Sequence, residues 1–180
     1  MDKYAHNPNS AAQMTPFSAN TTPPPASSLG AVITAPFGML SLWLSDDALS
    51  LLSFEPPDTP ERQPVCQLAE TAVTQLHHWF DDPHYAFTIP LAPCGTSFQR
   101  KVWQTIAAIP YGGMRTYGSI ATELSSAARA VGQACRANPF PIIIPCHRVV
   151  SQSGIGGFHG ATAGHLIDTK QWLQAFEKTH

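Results

Sequence analysis

Residues 127–150 read AARAVGQACRANPFPIIIPCHRVV, and the order of patterns within this stretch organises the second half of the chain. Residues 127–137 have the apolar spacing of a short helix. The Asn-Pro pair at 138 and 139 closes that helix, because the residue before a proline is disfavoured in the helical conformation. The apolar run 142–144 then predicts a buried, extended strand. Cys146 stands just beyond the end of this predicted strand.

A second short helical pattern, residues 117–124, precedes this stretch. Ser125 and Ser126 separate it from the helix at 127–137, and this pair is able to cap that helix. The two patterns and their short connection resemble a helix-turn-helix.

A helical domain is predicted to begin after residue 94. Thr96 and Gln99 have the spacing of a capping box and predict the start of a helix that Pro110 ends. The segment 91–94 contains a proline and lies between two helical patterns, so it predicts a linker. The second domain would then span 95–180.

The first half of the chain has a different pattern. Residues 31–54 consist of short apolar runs with alternating leucines, which predict a small antiparallel sheet, and residues 68–80 have helical spacing. These elements form a predicted first domain over 30–90. Residues 1–29 are rich in Pro, Ser and Thr and predict a disordered tail. The predicted fold class is therefore α+β: a small antiparallel-sheet α/β domain, followed by a mostly helical domain.

The composition favours a soluble, cytoplasmic protein. The chain has 180 residues, of which 43% are hydrophobic and 12% charged. A chain of this length and composition can bury a hydrophobic core. No export signal or membrane-spanning run is visible. The four cysteines have no zinc-finger spacing, which indicates free thiols in a reducing compartment and no metal site.

The charges are distributed unevenly along the chain. Residues 1–94 contain two basic and nine acidic residues, a net charge of −7, whereas residues 95–180 contain eight basic and three acidic residues, a net charge of +5. A basic half in an acidic chain is typical of a part that binds a polyanion. An uneven scatter without function is the alternative explanation.

Cys146 is the strongest candidate for chemistry. A thiol beside His147 and Arg148 has a base and positive charge that favour the thiolate, so it can act as a nucleophile. A buried structural cysteine is the commoner case for such a residue. The predicted helix-turn-helix before Cys146 and the glycine-rich loop at 154–164 after it favour the reactive interpretation.

Several motifs in the same order carry a resemblance to a known family. They are Phe-Gln-x-x-Val-Trp at 98–103, Ile-Pro-x-Gly at 109–112, Thr-Tyr-Gly at 116–118, Ala-Ala-Arg-Ala-Val-Gly at 127–132, Asn-Pro at 138–139 and Pro-Cys-His-Arg at 145–148. With these motifs the chain resembles the O6-alkylguanine-DNA alkyltransferases from about residue 95 to 177, and more loosely back to residue 31. The resemblance implies an RNase H-like first domain.

The resemblance also implies a reaction. A DNA repair protein of this family flips an alkylated base out of the duplex and transfers its alkyl group irreversibly to the residue matching Cys146. The substrate would be O6-alkylguanine, with O4-alkylthymine as a further candidate. His147 would accept the thiol proton through a bridging water, and Glu177 would orient its imidazole. Tyr117 would donate a hydrogen bond or proton to the departing base; the alternative is an ordinary tyrosine at the edge of the core. Asn138 would tie the helix-turn-helix to the active-site strand; the alternative is that it only closes the preceding helix.

The resemblance further implies how DNA is bound. Arg129 matches an arginine that enters the base stack where the flipped base had been, and small residues keep the same helix slim enough for the minor groove. Tight packing of that helix on a neighbour would also explain the small residues. The implied DNA-binding set is Arg129 with Ala127, Ala128, Ala130, Gly132 and Gln133. The implied substrate pocket is formed by Val149, Phe158 and His159, whereas Arg148 is expected in a structural ion pair.

Three features depart from the family pattern. The segment 117–129 is about two residues shorter and lacks a Gly-x-Pro turn. Residues 161–164 resemble an insertion before the last helix. His159 replaces a smaller residue.

The expected partner is double-stranded DNA carrying alkylated guanine, bound by a monomer. No cofactor is expected, since displacement by a thiolate needs neither a metal nor a redox carrier. One rival interpretation is an alkyltransferase-like protein that only binds lesions, although such proteins lack the acceptor cysteine. The other is a helix-turn-helix regulator whose Cys146 senses alkylation.

Overall fold

A computed structural model describes residues 29–179 of the chain. The predicted tail lies outside this range apart from Leu29, the first residue of the first strand. The first half consists of β1 (Leu29–Ala35), β2 (Gly38–Ser45), β3 (Ala48–Glu55) and α1 (Gln67–Asp81). The second half consists of α2 (Ser97–Ala107), β4 (Arg115–Thr116), α3 (Tyr117–Glu123), α4 (Ala128–Arg136), β5 (Val149–Val150) and α5 (His165–Thr179).

This arrangement confirms the α+β class and the predicted antiparallel sheet. The strands pair in the order β1-β2-β3, and the buried side chains of α1 pack near them. The RNase H-like assignment stays a prediction. Within residues 29–179 the longest helices have 15 residues, and none is long and apolar enough to cross a membrane.

The segment predicted as a linker, 91–94, packs against the sheet. Leu91 forms a parallel bridge with Leu49 of β3, and the amide of Ala92 donates to the Leu49 carbonyl at 2.8 Å. Further along the same strand, the amide of Leu52 donates to the carbonyl of Pro139, also at 2.8 Å. One hydrophobic cluster includes residues from both halves of the chain. The two predicted domains therefore share a core, and their exact boundaries stay a prediction.

Helix α2 begins as the sequence predicted. The Thr96 hydroxyl accepts from the Gln99 amide, and the Gln99 side chain accepts from the Thr96 amide, so the capping box is complete. The buried indole of Trp103 donates to the carbonyl of Ala134 at 2.8 Å and thereby ties α2 to α4. A buried indole N–H needs such a partner, so this bond fixes where α4 lies.

The turn between α3 and α4 differs from the prediction. Ser125 and Ser126 do not cap α4, whose N-cap is Ala127 with no side-chain hydrogen bond. Instead they end α3: the Ser125 amide donates to the Thr122 carbonyl and the Ser126 amide to the Ala121 carbonyl. Ser125 has φ +49°, so this is a Schellman motif with serine in the position that glycine usually takes.

The apolar run 142–144 is not a strand, contrary to the prediction. It forms consecutive turns, in which Ile142 has φ +75° and the Ile144 amide donates to the Phe140 carbonyl at 2.8 Å. The run is flanked by Pro141 and Pro145, which have no amide N–H to give a sheet ladder. Burial, the other part of the prediction, is confirmed for Ile142 and Ile144. Apolar content alone does not distinguish a buried turn from a buried strand.

We expect Ser125→Gly to stabilise the protein. An L-residue in the left-handed region costs about 1–2 kcal/mol that glycine avoids, so the free energy of unfolding should rise by about 1 kcal/mol after glycine's larger unfolded-state entropy is subtracted. Urea denaturation measures this change. Ser126→Gly is the matched control, since Ser126 has no positive φ and its replacement should lower stability. Equal changes in the two variants would contradict the Schellman assignment.

Candidate active site

Cys146 lies at the centre of the second half, in a single turn of 3-10 helix that spans Cys146–Arg148. The strand that follows, β5, pairs in parallel with β4, so that Arg115 lies opposite Val149. Because β4 leads directly into α3, this pairing brings the start of α3 to the Cys146 turn. The thiol is only 3% exposed, yet it lines a cavity of about 260 Å³, here called the Cys146 cavity.

The wall of the Cys146 cavity comes from three elements. Helix α3 contributes Tyr117, helix α4 contributes Gly132 and Gln133, and the loop before α5 contributes Phe158 and His159. Four of the eight predicted catalytic and pocket residues therefore line this one cavity: Cys146, Tyr117, Phe158 and His159.

Val149 is an exception among the predicted pocket residues. Its side chain is fully buried and is not part of the cavity wall. The reason is its place in β5, where Val149 pairs with β4 and faces the core. The prediction that Val149 lines the substrate pocket therefore stays a prediction.

The pair predicted behind Cys146 is present. The Nε2 atom of His147 lies 2.7 Å from a carboxylate oxygen of Glu177, and both side chains are buried. Burial acts to raise the pKa of Glu177, but hydrogen bonds from His147 and Arg148 outweigh it and lower the pKa to about 2. Burial lowers the pKa of His147. At neutral pH the carboxylate is therefore ionised, and the imidazole is neutral with its proton on Nε2.

This assignment leaves Nδ1 of His147 as a basic nitrogen. Among residues 29–179, that atom is buried without a hydrogen-bond partner. Buried polar atoms almost always have a partner, so this nitrogen, in the residue next to Cys146, is a candidate for a functional role. A neutral imidazole that donates through one nitrogen can accept a proton through the other.

Arg148 forms the structural ion pair that the sequence predicted. Its guanidinium donates to both carboxylate oxygens of Glu177, at 2.8 to 3.1 Å, and to the carbonyl of Ile109 at 2.7 Å. The Glu177 carboxylate also accepts from the amide of Gly112 at 3.3 Å. One buried charge thus joins α5, the Cys146 turn and the segment after α2.

The Cys146 thiol is not a standing thiolate. Burial raises its pKa to about 11, although a hydrogen bond from Asn138 and the charge of Lys170 act in the opposite direction. Asn138 is itself buried, donates to the Ile144 carbonyl at 2.8 Å and accepts from the Phe140 amide at 3.0 Å. It therefore connects the end of α4 to the turns that carry Cys146, and it also acts on the thiol.

Tyr117 remains a proton donor at the cavity wall. Its hydroxyl donates to the carbonyl of Gly157 at 3.1 Å, and burial together with the nearby Cys135 and Cys146 thiols raises its pKa above the usual value. Gly156 lies against the Tyr117 ring, where a Cβ would approach a ring carbon to 2.9 Å, and its φ is +71°. Glycine is thus required there for the loop to contact Tyr117.

Lys170 is a site residue that the sequence analysis missed. It is fully buried, and its ammonium donates to the carbonyls of Val149, Ile155 and Gly157 at 2.7 to 2.9 Å. The charge thereby holds the loop that supplies the cavity wall. The sequence did contain a signal for this residue. Lys170 lies three residues after Ile167 and three before Leu173, and this spacing places its charge on the buried face of α5.

The predicted DNA-binding helix α4 buries one face and exposes another. Val131 and Ala134 are buried, whereas Ala127, Ala128 and Arg129 are exposed. The small size of Gly132 does not serve close helix packing, because a Cβ added there would meet nothing within 4 Å. Of the predicted set, Gly132 and Gln133 also reach the Cys146 cavity, and Ala130 is half-buried.

The part of the chain from Leu29 to Thr179 contains no group of three His, Cys, Asp or Glu side chains that could hold a metal ion. All four cysteines are free thiols.

Known proteins are similar to this chain in sequence. A family model described as 6-O-methylguanine DNA methyltransferase, DNA binding domain, matches residues 97–179. A probable methylated-DNA–protein-cysteine methyltransferase of Acanthamoeba polyphaga mimivirus is 37% identical over 150 residues, which cover 82% of this chain and 95% of the relative. The corresponding protein of Mycolicibacterium paratuberculosis is 38% identical over 156 residues, covering 82% and 91%.

Solved structures are also similar to this chain. The crystal structure of Mycobacterium tuberculosis O6-methylguanine methyltransferase has a TM-score of 0.69 and 35% identity, with 84% of this chain and 93% of that chain covered. A crystal structure of Mycobacterium tuberculosis OGT in complex with DNA has a TM-score of 0.68 and 36% identity, with 82% and 91% covered.

The Glu177 carboxylate should make stability depend on pH. Because its folded pKa is about 2 and its ordinary value is 4.5, its contribution is complete above pH 4.5 and is lost as the pH falls towards 2. The difference between the folded and the ordinary pKa of Glu177 corresponds to about 3 kcal/mol of folding free energy. Urea denaturation at several pH values should show a steep loss for the wild type and a flatter curve for Glu177→Gln. Glu123→Gln, which removes an exposed partner of Arg115, should follow the wild type; a wild-type slope in Glu177→Gln would contradict the assignment.

Lys170→Met should loosen the cavity wall. Three carbonyls would lose their donor, so we expect the free energy of unfolding to fall by about 3 kcal/mol and the amides near Gly157 to exchange faster. Hydrogen exchange and urea denaturation measure both effects. Lys178→Met is the control, because Lys178 is exposed at the end of the same helix and should change stability by less than about 1 kcal/mol.

Proposed function

The chain belongs to the methylated-DNA–protein-cysteine methyltransferase family and is a DNA repair enzyme of that type, and we propose that Cys146 is the cysteine that accepts the alkyl group of O6-alkylguanine. The observation that carries this proposal is the position of the thiol. It is the one cysteine that both lines the Cys146 cavity and adjoins the buried His147–Glu177 pair.

The first step is removal of the thiol proton. A thiol whose pKa is about 11 is not ionised at neutral pH, so it needs a base at the moment of reaction. Nδ1 of His147 takes the proton, through a bridging water as in the related family. The imidazolium that forms is stabilised by the ionised Glu177 at 2.7 Å. Burial alone would disfavour that charge, which explains why the carboxylate lies directly behind the ring.

The second step is displacement at the alkyl carbon. The sulfur of Cys146 forms a bond to the carbon while the bond between that carbon and O6 of guanine breaks, and the electron pair goes to the base. Guanine is a poor leaving group as a free anion, so it must be hydrogen-bonded or protonated as it departs. Tyr117, which stays protonated at the cavity wall, redirects its hydroxyl hydrogen from the Gly157 carbonyl to the base ring. The thioether is stable, so each molecule reacts once.

A buried thiol cannot reach a base inside a duplex. With Cys146 only 3% exposed, the damaged base must be flipped out of the stack into the Cys146 cavity. Helices α3 and α4 act as the helix-turn-helix, with α4 in the minor groove. Exposed Arg129 fills the vacated stack, and the slim face at Ala127 and Ala128 allows close approach to the DNA. A monomer supplies every residue of this site.

The rival functions fit the site less well. A protein that only binds lesions has no use for a nucleophile with a buried base and carboxylate behind it. A regulator that reads an operator needs several base-reading side chains, whereas the exposed polar side chains of α4 are Arg129, Gln133 and Arg136, and the last two line the Cys146 cavity.

The decisive experiment is mass spectrometry after incubation with an oligonucleotide that carries O6-methylguanine. We expect one methyl group per protein, on the peptide that contains Cys146, and no transfer by Cys146→Ser. Cys66→Ser, which replaces an exposed cysteine far along the chain, should react like the wild type. Tight binding of the lesion without a gain in mass would contradict the proposal and favour a lesion-binding protein.

A further inference from the structure

His159 lies directly over the reactive thiol. Its Nε2 atom is 3.7 Å from Sγ of Cys146, although the residue belongs to the loop before α5 and not to the Cys146 turn. Burial lowers the pKa of His159 to about 4, so the ring is neutral at physiological pH. The backbone has φ +47°, a left-handed conformation that is uncommon for a residue other than glycine.

Two aromatic rings hold the His159 ring in this place. Phe158 packs edge-on against it, with ring centroids 4.7 Å apart, and Phe54 of β3 does so at 5.4 Å. Phe54 also packs on Phe158 at 5.4 Å, which makes a cluster of three rings. Such pairs are each worth about 0.5–1.5 kcal/mol beyond area burial, so the ring does not swing away freely.

His159 lines two cavities. One is the Cys146 cavity. The other is a second cavity of about 370 Å³, whose lining includes Leu52 and Phe54 of β3 and Pro139 of the segment after α4. Among residues 29–179, only His159 and Arg136 line both. The imidazole is therefore part of a partition, and its removal would join the two spaces.

The geometry of displacement makes this partition relevant to substrate size. Sulfur, alkyl carbon and O6 must be nearly in line, so any further atoms on the alkyl carbon project sideways from that line. One side of the thiol is occupied by the His159 ring at 3.7 Å. We infer that His159 limits the alkyl groups that Cys146 accepts to small ones, and that the second cavity is the space a larger group would need. This inference rests on the proposed function of Cys146.

The test compares transfer rates from two oligonucleotides, one with O6-methylguanine and one with O6-benzylguanine. In His159→Gly the partition is removed, and glycine accepts the local φ without strain. We expect the ratio of benzyl to methyl transfer rates to rise at least about tenfold, the scale on which pocket shape discriminates between apolar groups. His159→Phe keeps a ring in place but has no nitrogen, so its ratio should stay near the wild-type value.

The outcomes separate this inference from the proposed function. An unchanged ratio in His159→Gly, with methyl still transferred to Cys146, overturns the size limit and leaves Cys146 as acceptor. An equal rise of the ratio in the glycine and phenylalanine variants also overturns it, because the ring nitrogen and not the ring's bulk would then matter. A wild type that transfers no methyl removes the proposed function and the inference with it.

Discussion

The buried carboxylate of Glu177 is the constraint on which the active site depends. A charge with almost no exposure is tolerated only when it is paired and hydrogen-bonded, and Glu177 is paired with His147, Arg148 and the Gly112 amide. Those three partners belong to the Cys146 turn and to the segment after α2. Satisfying one charge therefore fixes the last helix against the two elements that surround the thiol.

The same helix carries a second buried charge with a different task. Lys170 lies two turns before Glu177 and donates only to backbone carbonyls, which belong to β5 and the loop that forms the cavity wall. Glu177 thus fixes the His147 ring next to Cys146, while Lys170 holds the loop that forms the cavity wall. Helix α5 also packs on the first half through Trp172 and Phe37, whose ring centroids are 5.4 Å apart. The first half supports the site through this contact and through Phe54, which holds His159.

Electrostatics and burial oppose each other at the thiol, and this opposition suits a protein that reacts once. Burial keeps Cys146 protonated, and a protonated thiol is a poor nucleophile towards any electrophile. In the proposed mechanism, activation comes from Nδ1 of His147, and the Glu177 carboxylate stabilises the imidazolium that forms. A permanently ionised thiolate would react faster but would be consumed without repairing DNA.

Much of this protein followed from its sequence alone. The α+β class, the antiparallel sheet, the capping box at Thr96 and the Cys-His-Arg motif all depend on local spacing, which a sequence displays directly. The ion pair of Arg148 with an acid was also expected from residue chemistry.

What the tertiary structure decided was everything that depends on the path of the chain. The run 142–144 became turns because prolines flank it, Ser125 ended one helix instead of Ser126 starting the next, and Val149 turned into the core. Lys170 and His159 acquired their places for the same reason: the partners of Lys170 are carbonyls 13 to 21 residues away, and His159 packs on Phe54 of β3, so only the folded structure brings them together.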